Sequence, residues 1–342
     1  MTALTSVFET LATREARDSS PLYESLAHSV AADPKLLALA GHSPADQPAP
    51  NLLFAAVQYL LFNRPDHPLA AYFSSIVDDP ASPAEEADQL FREFCLENRA
   101  TLVALLGSRR VQTNVLGRSS ILLPVFEHVS HRTDQTPLGL VEIGCSAGLN
   151  LLWDRYGYEY GGQWRVGDPA APLQLSCDVR NDGVPPLPES LPAVGSRLGI
   201  NLNTLSVENE ADVKWLRALI WPEHESRRER IEAAVSVARE SPPELVEGDA
   251  LADLKTLCNR VPEDEHLCIY NTHVLYQFTE EQQADFAALV ADIGQSRDLF
   301  WANWEWHGET PEVRYVAYEN GEKSAGTLAA YEAHGRWIDW HE

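Results

Sequence analysis

Apolar residues recur at helical spacing through the first third of the chain. Phe8 and Leu11, then Leu22, Leu26 and Val30, repeat at three- and four-residue intervals, and Pro21 suits a first helical turn. Leu36-Leu-Ala-Leu-Ala-Gly41 ends on a glycine before the loop His42 to Pro50 with its three prolines, and Leu52 to Phe62 predicts a buried helix. Asp78 to Glu86 predicts a turn and a helix start, continued by Leu90, Phe91, Phe94 and Leu96. No alternating strand pattern interrupts residues 1–136, which predicts a helical domain. One polar island does interrupt it: Arg109 to Ser120 carries Gln112, Thr113, Asn114 and Arg118 and leads into Ile121 to Val129, with Ser119 or Ser120 as N-cap. Standing alone, that island is a solvated loop between helices.

The pattern changes at Leu138. Leu140, Val141 and Ile143 form the short apolar run of a buried parallel strand. It breaks into Gly144-Cys-Ser-Ala-Gly148, and Leu149, Leu152, Trp153 and Tyr156 then return to helical spacing. An insertion around 157–200 comes next, holding a strand at Leu173 to Val179, the proline-rich Val184 to Pro192 and a further strand end at Arg197 to Asn203. Amphipathic helices are predicted at Ala211 to Ala218 and Glu225 to Arg239, the charge run Glu223 to Glu232 being a solvated face. Strands at Leu245 to Ala250, His266 to His273 and Leu299 to Trp306 alternate with helices at Leu251 to Leu257 and, capped by Thr279, to Ile293. Val313 to Tyr318 and Gly326 to Tyr331 predict a closing hairpin. Such alternation predicts an α/β doubly wound sheet over 137–342, whose ligands gather beyond the carboxyl ends of the strands. The candidates there are Gly144 to Gly148, Asp178, Asn201, Asp249, Asn271 to His273 and Trp304 to His307.

Composition narrows the chemistry. At 342 residues the chain can bury a sizeable core, and 44% hydrophobic with 23% charged residues describe a soluble protein. No apolar run has the length of a membrane span and no export signal is visible, which predicts a cytoplasmic location without membrane contact. Cys95, Cys145, Cys177, Cys258 and Cys268 are scattered and odd in number, with neither a C-x-x-C pair nor H-E-x-x-H, so buried free thiols are expected and no metal. Acidic side chains number 51 against 26 basic, and the net charge of −25 disfavours nucleic acid. It is similar to the halophilic habit of proteins from salt-loving organisms, where salt screens the self-repulsion.

The glycine turn selects among known devices. Glu142 stands where a dinucleotide fingerprint needs glycine, and a phosphate-binding loop would end in G-K-S/T. Gly144-Cys-Ser146-Ala-Gly148 satisfies the G-x-S-x-G of a serine hydrolase elbow, with Asp249 as acid and His273 or His307 as base. Against that, the preceding residues are helical and no His-Gly-Gly segment would build an oxyanion hole. Glu142-x-Gly144-x-x-x-Gly148 also resembles the first motif of class I S-adenosylmethionine-dependent methyltransferases.

Over most of its length the chain further resembles domain-of-unknown-function family 2332, a methyltransferase-like family. The likeness rests on Val111 to Arg118, the Glu142 turn, Trp215 to Glu223 and Gly248-Asp-Ala250. Two acids of that pattern are missing, at Val115 and Asn201. The resemblance implies a Rossmann-like methyltransferase sheet with an N-terminal all-α cap domain (1–136) and a 137–342 methyltransferase-type domain. It implies that Gly144, Ala147 and Gly148 face the methionine part of S-adenosylmethionine, with Glu142 beneath its amino group and Asn114 and Arg118 on the cofactor side. Asp178 would accept the ribose hydroxyls and Asp249 the adenine amine. Asn271, His273 and Tyr276 would line the transfer pocket, His273 serving as base for a protonated acceptor. A capped cleft and an acidic surface favour a small-molecule acceptor. Two other readings stay open, a methyltransferase-like body that binds ligand or protein without turnover, and the hydrolase.

Overall fold

The computed structural model describes residues 2–181 and 183–341. The chain divides into two compact units, Met1–Thr113 with Asn209–Ile231, and Asn114–Glu208 with Glu232–Glu342. The first is helical. Its helix Ala49–Leu61 is buried around most of its girth, and the buried Gln58 donates to the carbonyls of Ala218 (2.9 Å) and Ile220 (2.7 Å). Arg109 pairs with Asp212 at 2.7 Å, and the Trp215 indole donates to Arg110 O at 2.9 Å. These bonds join residues 209–231 to the unit although about a hundred residues separate them in sequence. Hydrophobic spacing reports helices, not which body they pack on, so the boundary at 136 read from the sequence differs from the division by contact.

The second unit is built on an eleven-stranded sheet. Its strands are β1 (Leu138–Ile143), β2 (Gly157–Tyr160), β3 (Trp164–Val166), β4 (Gln174–Val179), β5 (Val194–Asn201), β6 (Glu244–Glu247), β7 (His266–Thr272), β8 (Leu299–His307), β9 (Thr310–Glu319), β10 (Glu322–Tyr331) and β11 (Trp337–Trp340). In space the order is β3-β2-β4-β11-β10-β9-β8-β7-β1-β5-β6. From β8 to β6 all neighbours are parallel. Taken in chain order those five run 3-2-1-4-5, the order of a doubly wound α/β sheet, with β1 central and fully buried. The α/β class expected from the alternation is therefore present, in a wider sheet than that alternation requires. The extra width comes from β2 to β4 in the insertion and from the C-terminal β9 to β11.

One face of the parallel centre packs Val141, Ile143, Ile269 and Trp301 against Leu254 and Leu257 of the helix Ala250–Cys258 and Phe286 and Val290 of the helix Glu280–Gly294. The other carries Tyr270 and Trp304, which meet Phe126 of the helix Ser119–Arg132. Thr279 closes a capping box with Gln282, as its sequence predicts. Ser119 and Ser120 do not cap. Helical geometry already includes Ser119, and the Ser120 hydroxyl donates instead to Gly117 O at 2.7 Å. Asn320 and Gly321, at φ 53° and 79°, give the β9–β10 hairpin the doubly left-handed turn that Asn-Gly favours.

Candidate ligand-binding site

The strand order reverses between β1 and β7, and the crevice beyond their carboxyl ends is where a doubly wound sheet holds its ligand. The chain leaves β1 through a left-handed turn, with φ 72° at Gly144, 54° at Ser146 and 70° at Gly148. Gly144 N and Cys145 N donate to Ile200 O at the end of β5 (2.8 and 3.3 Å), and Gly148 N to Cys145 O (2.7 Å). A Cβ at Gly144 would collide with Val274, and one at Gly148 would lie 2.7 Å from Leu245 Cδ2. Close packing of the chain's own side chains is thus a sufficient reason for both glycines. The turn leads into a 3₁₀ helix, Leu149–Arg155, kinked at Leu152, in place of the amphipathic α-helix that the apolar spacing predicts. Leu149 to Trp153 are buried consecutively, so no solvent-facing side exists for an α-helical stripe to oppose.

Glu142 occupies the last turn-facing position of β1 at 1% exposure. Its Oε2 has no hydrogen-bond partner among the described residues. Burial pushes its carboxyl up to about 8, against the pull of Tyr270, Asn150 and the Arg118 cation, so it holds its proton at neutral pH. Tyr270 stands opposite Glu142 on β7, near enough to act on the carboxyl, yet its hydroxyl closes no hydrogen bond of good geometry. Deeper on the same sheet face Asp154 and Arg197 form an ion pair at 2.6 Å with both side chains 10% exposed. Asp154 Oδ1, Arg197 Nη1 and Trp153 Nε1 have no hydrogen-bond partner there among the described residues. None of Tyr270, Asp154, Arg197 or Trp153 is a candidate by sequence. The one signal is Arg197, a charge inside a predicted strand end.

Beside β7 the wall is made by His273, Arg118 and Tyr331. His273 takes φ 56° as its amide donates to Trp304 O, and its Nε2 shares a hydrogen bond of 2.9 Å with the Tyr331 hydroxyl. Arg118 fixes the neighbourhood by donating to Ala333 O (2.9 Å) and Thr272 O (3.1 Å). Burial, then Arg118 and His334, push the His273 imidazolium down to about 3, so the ring is neutral and a weak base. Asn271 points to the opposite face, where its Nδ2 donates to Glu305 Oε1 (2.8 Å) and its Oδ1 accepts from Trp301 (3.2 Å). Its amide is committed to positioning Glu305, which also accepts from Val274 N and Leu275 N. Tyr276 lies in the next short 3₁₀ turn, 67% exposed.

Of the remaining candidates, Asn114 reaches the glycine turn, bonding Cys145 O and Ala147 N at 3.2 Å each. Asp249 is exposed and caps the helix Ala250–Cys258 by accepting from Leu251 N. Asp178 lies on β4, paired with Trp337 of β11, and five strands stand between β4 and β1. It is not brought to the crevice. The strand beside β1 is β5, which ends in Asn201. Ser146 is 3% exposed, the imidazole Nε2 of His273 lies against the Tyr331 hydroxyl, and that of His307 has no partner among the described residues. All five cysteines are buried and free, and no cluster of metal-ligating side chains occurs among the described residues.

An α-ammonium would give the orphaned Glu142 Oε2 both a hydrogen bond and a counter-charge. Asn201 could share a ribose hydroxyl, more weakly than a bidentate carboxylate.

No helix among the described residues is long and apolar enough to cross a membrane. A family profile described as an uncharacterized protein conserved in bacteria (DUF2332) matches residues 5–340. No curated protein and no solved structure matches the chain.

Proposed function

Because the chain belongs to this bacterial family over nearly its whole length, its chemistry must be read from its own side chains, and we propose that it binds S-adenosylmethionine beyond β1 and methylates a small-molecule acceptor. The observation that carries this is Glu142, a fully buried carboxyl with one unpartnered oxygen, next to a left-handed glycine turn at the reversal point of a 3-2-1-4-5 sheet. The bound cofactor supplies an electrophilic methyl on sulfur. The chain's part is to hold the amino-acid end with Glu142 and to keep the turn rigid with Asn114. His273 alters the expected chemistry. An imidazole whose conjugate acid titrates at about 3 is a poor general base at neutral pH. The acceptor is therefore a group that attacks through an existing lone pair, such as a neutral amine or a thiolate, and positioning supplies the catalysis.

Calorimetric titration of S-adenosylmethionine and S-adenosylhomocysteine into purified protein in high salt, with NAD as control, tests this. Micromolar binding of either, absent for NAD, is the expected result. A folded sample that binds neither would overturn it. The second reading, a binding protein without turnover, is favoured by one observation: both halves of the Asn271 amide are used inside the protein. Cofactor binding without a methylated product across an amine and thiol screen would select it.

A further inference from the structure

The face of the sheet that carries Asn271 and Glu305 continues over β8, β9 and β10. There Asn303 pairs across with Arg314, and Arg314 with Thr327, so the three side chains form one cross-strand row. His307 lies four residues along β8 on the same face. All four line a hollow of about 500 Å³, a size suited to a small organic molecule. His307 Nε2 is buried without a partner among the described residues. Glu312 takes the Nε and Nη2 edge of Arg314 at 2.9 and 2.8 Å and leaves Nη1.

We propose that this hollow is a second ligand site, separate from the crevice at Glu142, and that it binds a small organic anion bearing phosphate or carboxylate oxygens. Arg314 Nη1, the Asn303 amide and the Thr327 hydroxyl supply donors over one patch with the His307 ring beside them, which suits a ligand with several acceptor oxygens. Arg314 is the ionised side chain of the lining, and Glu312 pairs its Nε and Nη2 edge alone. Burial, then Arg314, hold the His307 imidazolium below its ordinary range against the opposing pull of Glu312. The ring therefore donates as a neutral group, and an incoming anion raises its affinity for protons.

The probes are pyrophosphate and citrate, added at constant ionic strength to the full chain, with the His307 ring followed by NMR across pH. The expected result is an upward shift of the His307 titration with saturable dependence on one or both probes. Pyrophosphate alone would assign phosphorylated ligands, and citrate alone carboxylated ones. Arg314→Met should weaken binding at least about tenfold. Thr327→Val, which changes one hydroxyl, should weaken it measurably if Arg314→Met does not fold. A His307 titration that neither probe moves, or that moves equally in folded Arg314→Met protein, overturns the proposal. S-adenosylhomocysteine binding should be unchanged in both variants, so the two sites stand or fall separately.

Discussion

Asn114 clamps the turn after β1 through Ala147. Its Oδ1 accepts from Ala147 N while its Nδ2 donates to Cys145 O, each at 3.2 Å, and the side chain is 7% exposed. One amide therefore satisfies two backbone groups of a segment in which Ser146 holds a left-handed φ. Asn114→Ala takes the bond from Ala147 N, while Cys145 O keeps the one it accepts from Gly148 N, and should cost about 1–3 kcal/mol. Urea denaturation of the two proteins measures it, and an unchanged midpoint would show the turn to be self-supporting.

Gly144 is required by Val274, whose side chain occupies the space a Cβ would need, as well as by its φ of 72°. Gly144→Ala should destabilise by about 2–4 kcal/mol through clash and strain together. Val274→Ala removes the clash and not the strain. The double variant should recover part of the loss, giving a coupling of about 1 kcal/mol or more in a double-mutant cycle. Strict additivity would place the whole cost in the backbone.

Glu142 makes stability depend on pH with a defined sign. Its folded carboxyl titrates at about 8, above the ordinary value of 4.5, because burial disfavours the anion. Below 4.5 both folded and unfolded chains hold the proton and nothing is lost. As pH rises the unfolded chain releases it first, so stability falls until about 8 and then levels. Glu142→Gln removes that dependence, and its advantage over the parent protein should grow between pH 4.5 and 8 to on the order of 3–5 kcal/mol. Denaturation at about pH 4, 6 and 9 reads it. A pH-independent difference would mean that the parent carboxyl ionises normally.

Much of this could be read from the residues. The β1 turn, β7, the Thr279 cap and the closing hairpin arise from local apolar spacing and turn chemistry, which act over a few residues. Which strand lies beside β1 does not, because neighbours in a doubly wound sheet are set by crossovers. Asp178 therefore looks in sequence like the second-strand acid, while the neighbouring strand β5 sits inside the proline-rich insertion with Arg197 breaking its apolar run. Arg197 is admitted there by Asp154, forty-three residues earlier, and a contact at that separation leaves no local pattern. Asn271 is visible in sequence as a polar strand end. That it turns to the opposite face and serves Glu305 depends on register with β8.

His273 supplies a second pH dependence of opposite sense. Burial beside Arg118 lowers its titration to about 3, from an ordinary 6.5. Above 6.5 the ring is neutral in both states. As pH falls the unfolded chain takes up a proton that the folded one refuses, so stability is lost between 6.5 and 3. Asparagine tolerates φ 56° where alanine would be strained, which makes His273→Asn the suitable control. Its stability relative to the parent should rise by about 1–2 kcal/mol from about pH 7.5 to pH 4, a figure reduced for the partial exposure of the ring. Parallel curves would place the acid sensitivity elsewhere.

Ligand binding at Glu142 should release a proton. At pH 7 the buried carboxyl is mostly protonated, since it titrates at about 8. An α-ammonium against Oε2 favours the carboxylate by charge and hydrogen bond together, pulling the titration below about 7. S-adenosylhomocysteine should then release about half a proton or more per site at about pH 7, where the free carboxyl is mostly protonated and the ligand amine is an ammonium. Titrations in phosphate and in Tris, whose ionisation enthalpies differ, give that number directly. Methylthioadenosine, which lacks the amino-acid end, should bind more weakly and release none. Tight binding of S-adenosylhomocysteine with no proton release at neutral pH would move the ammonium away from Glu142.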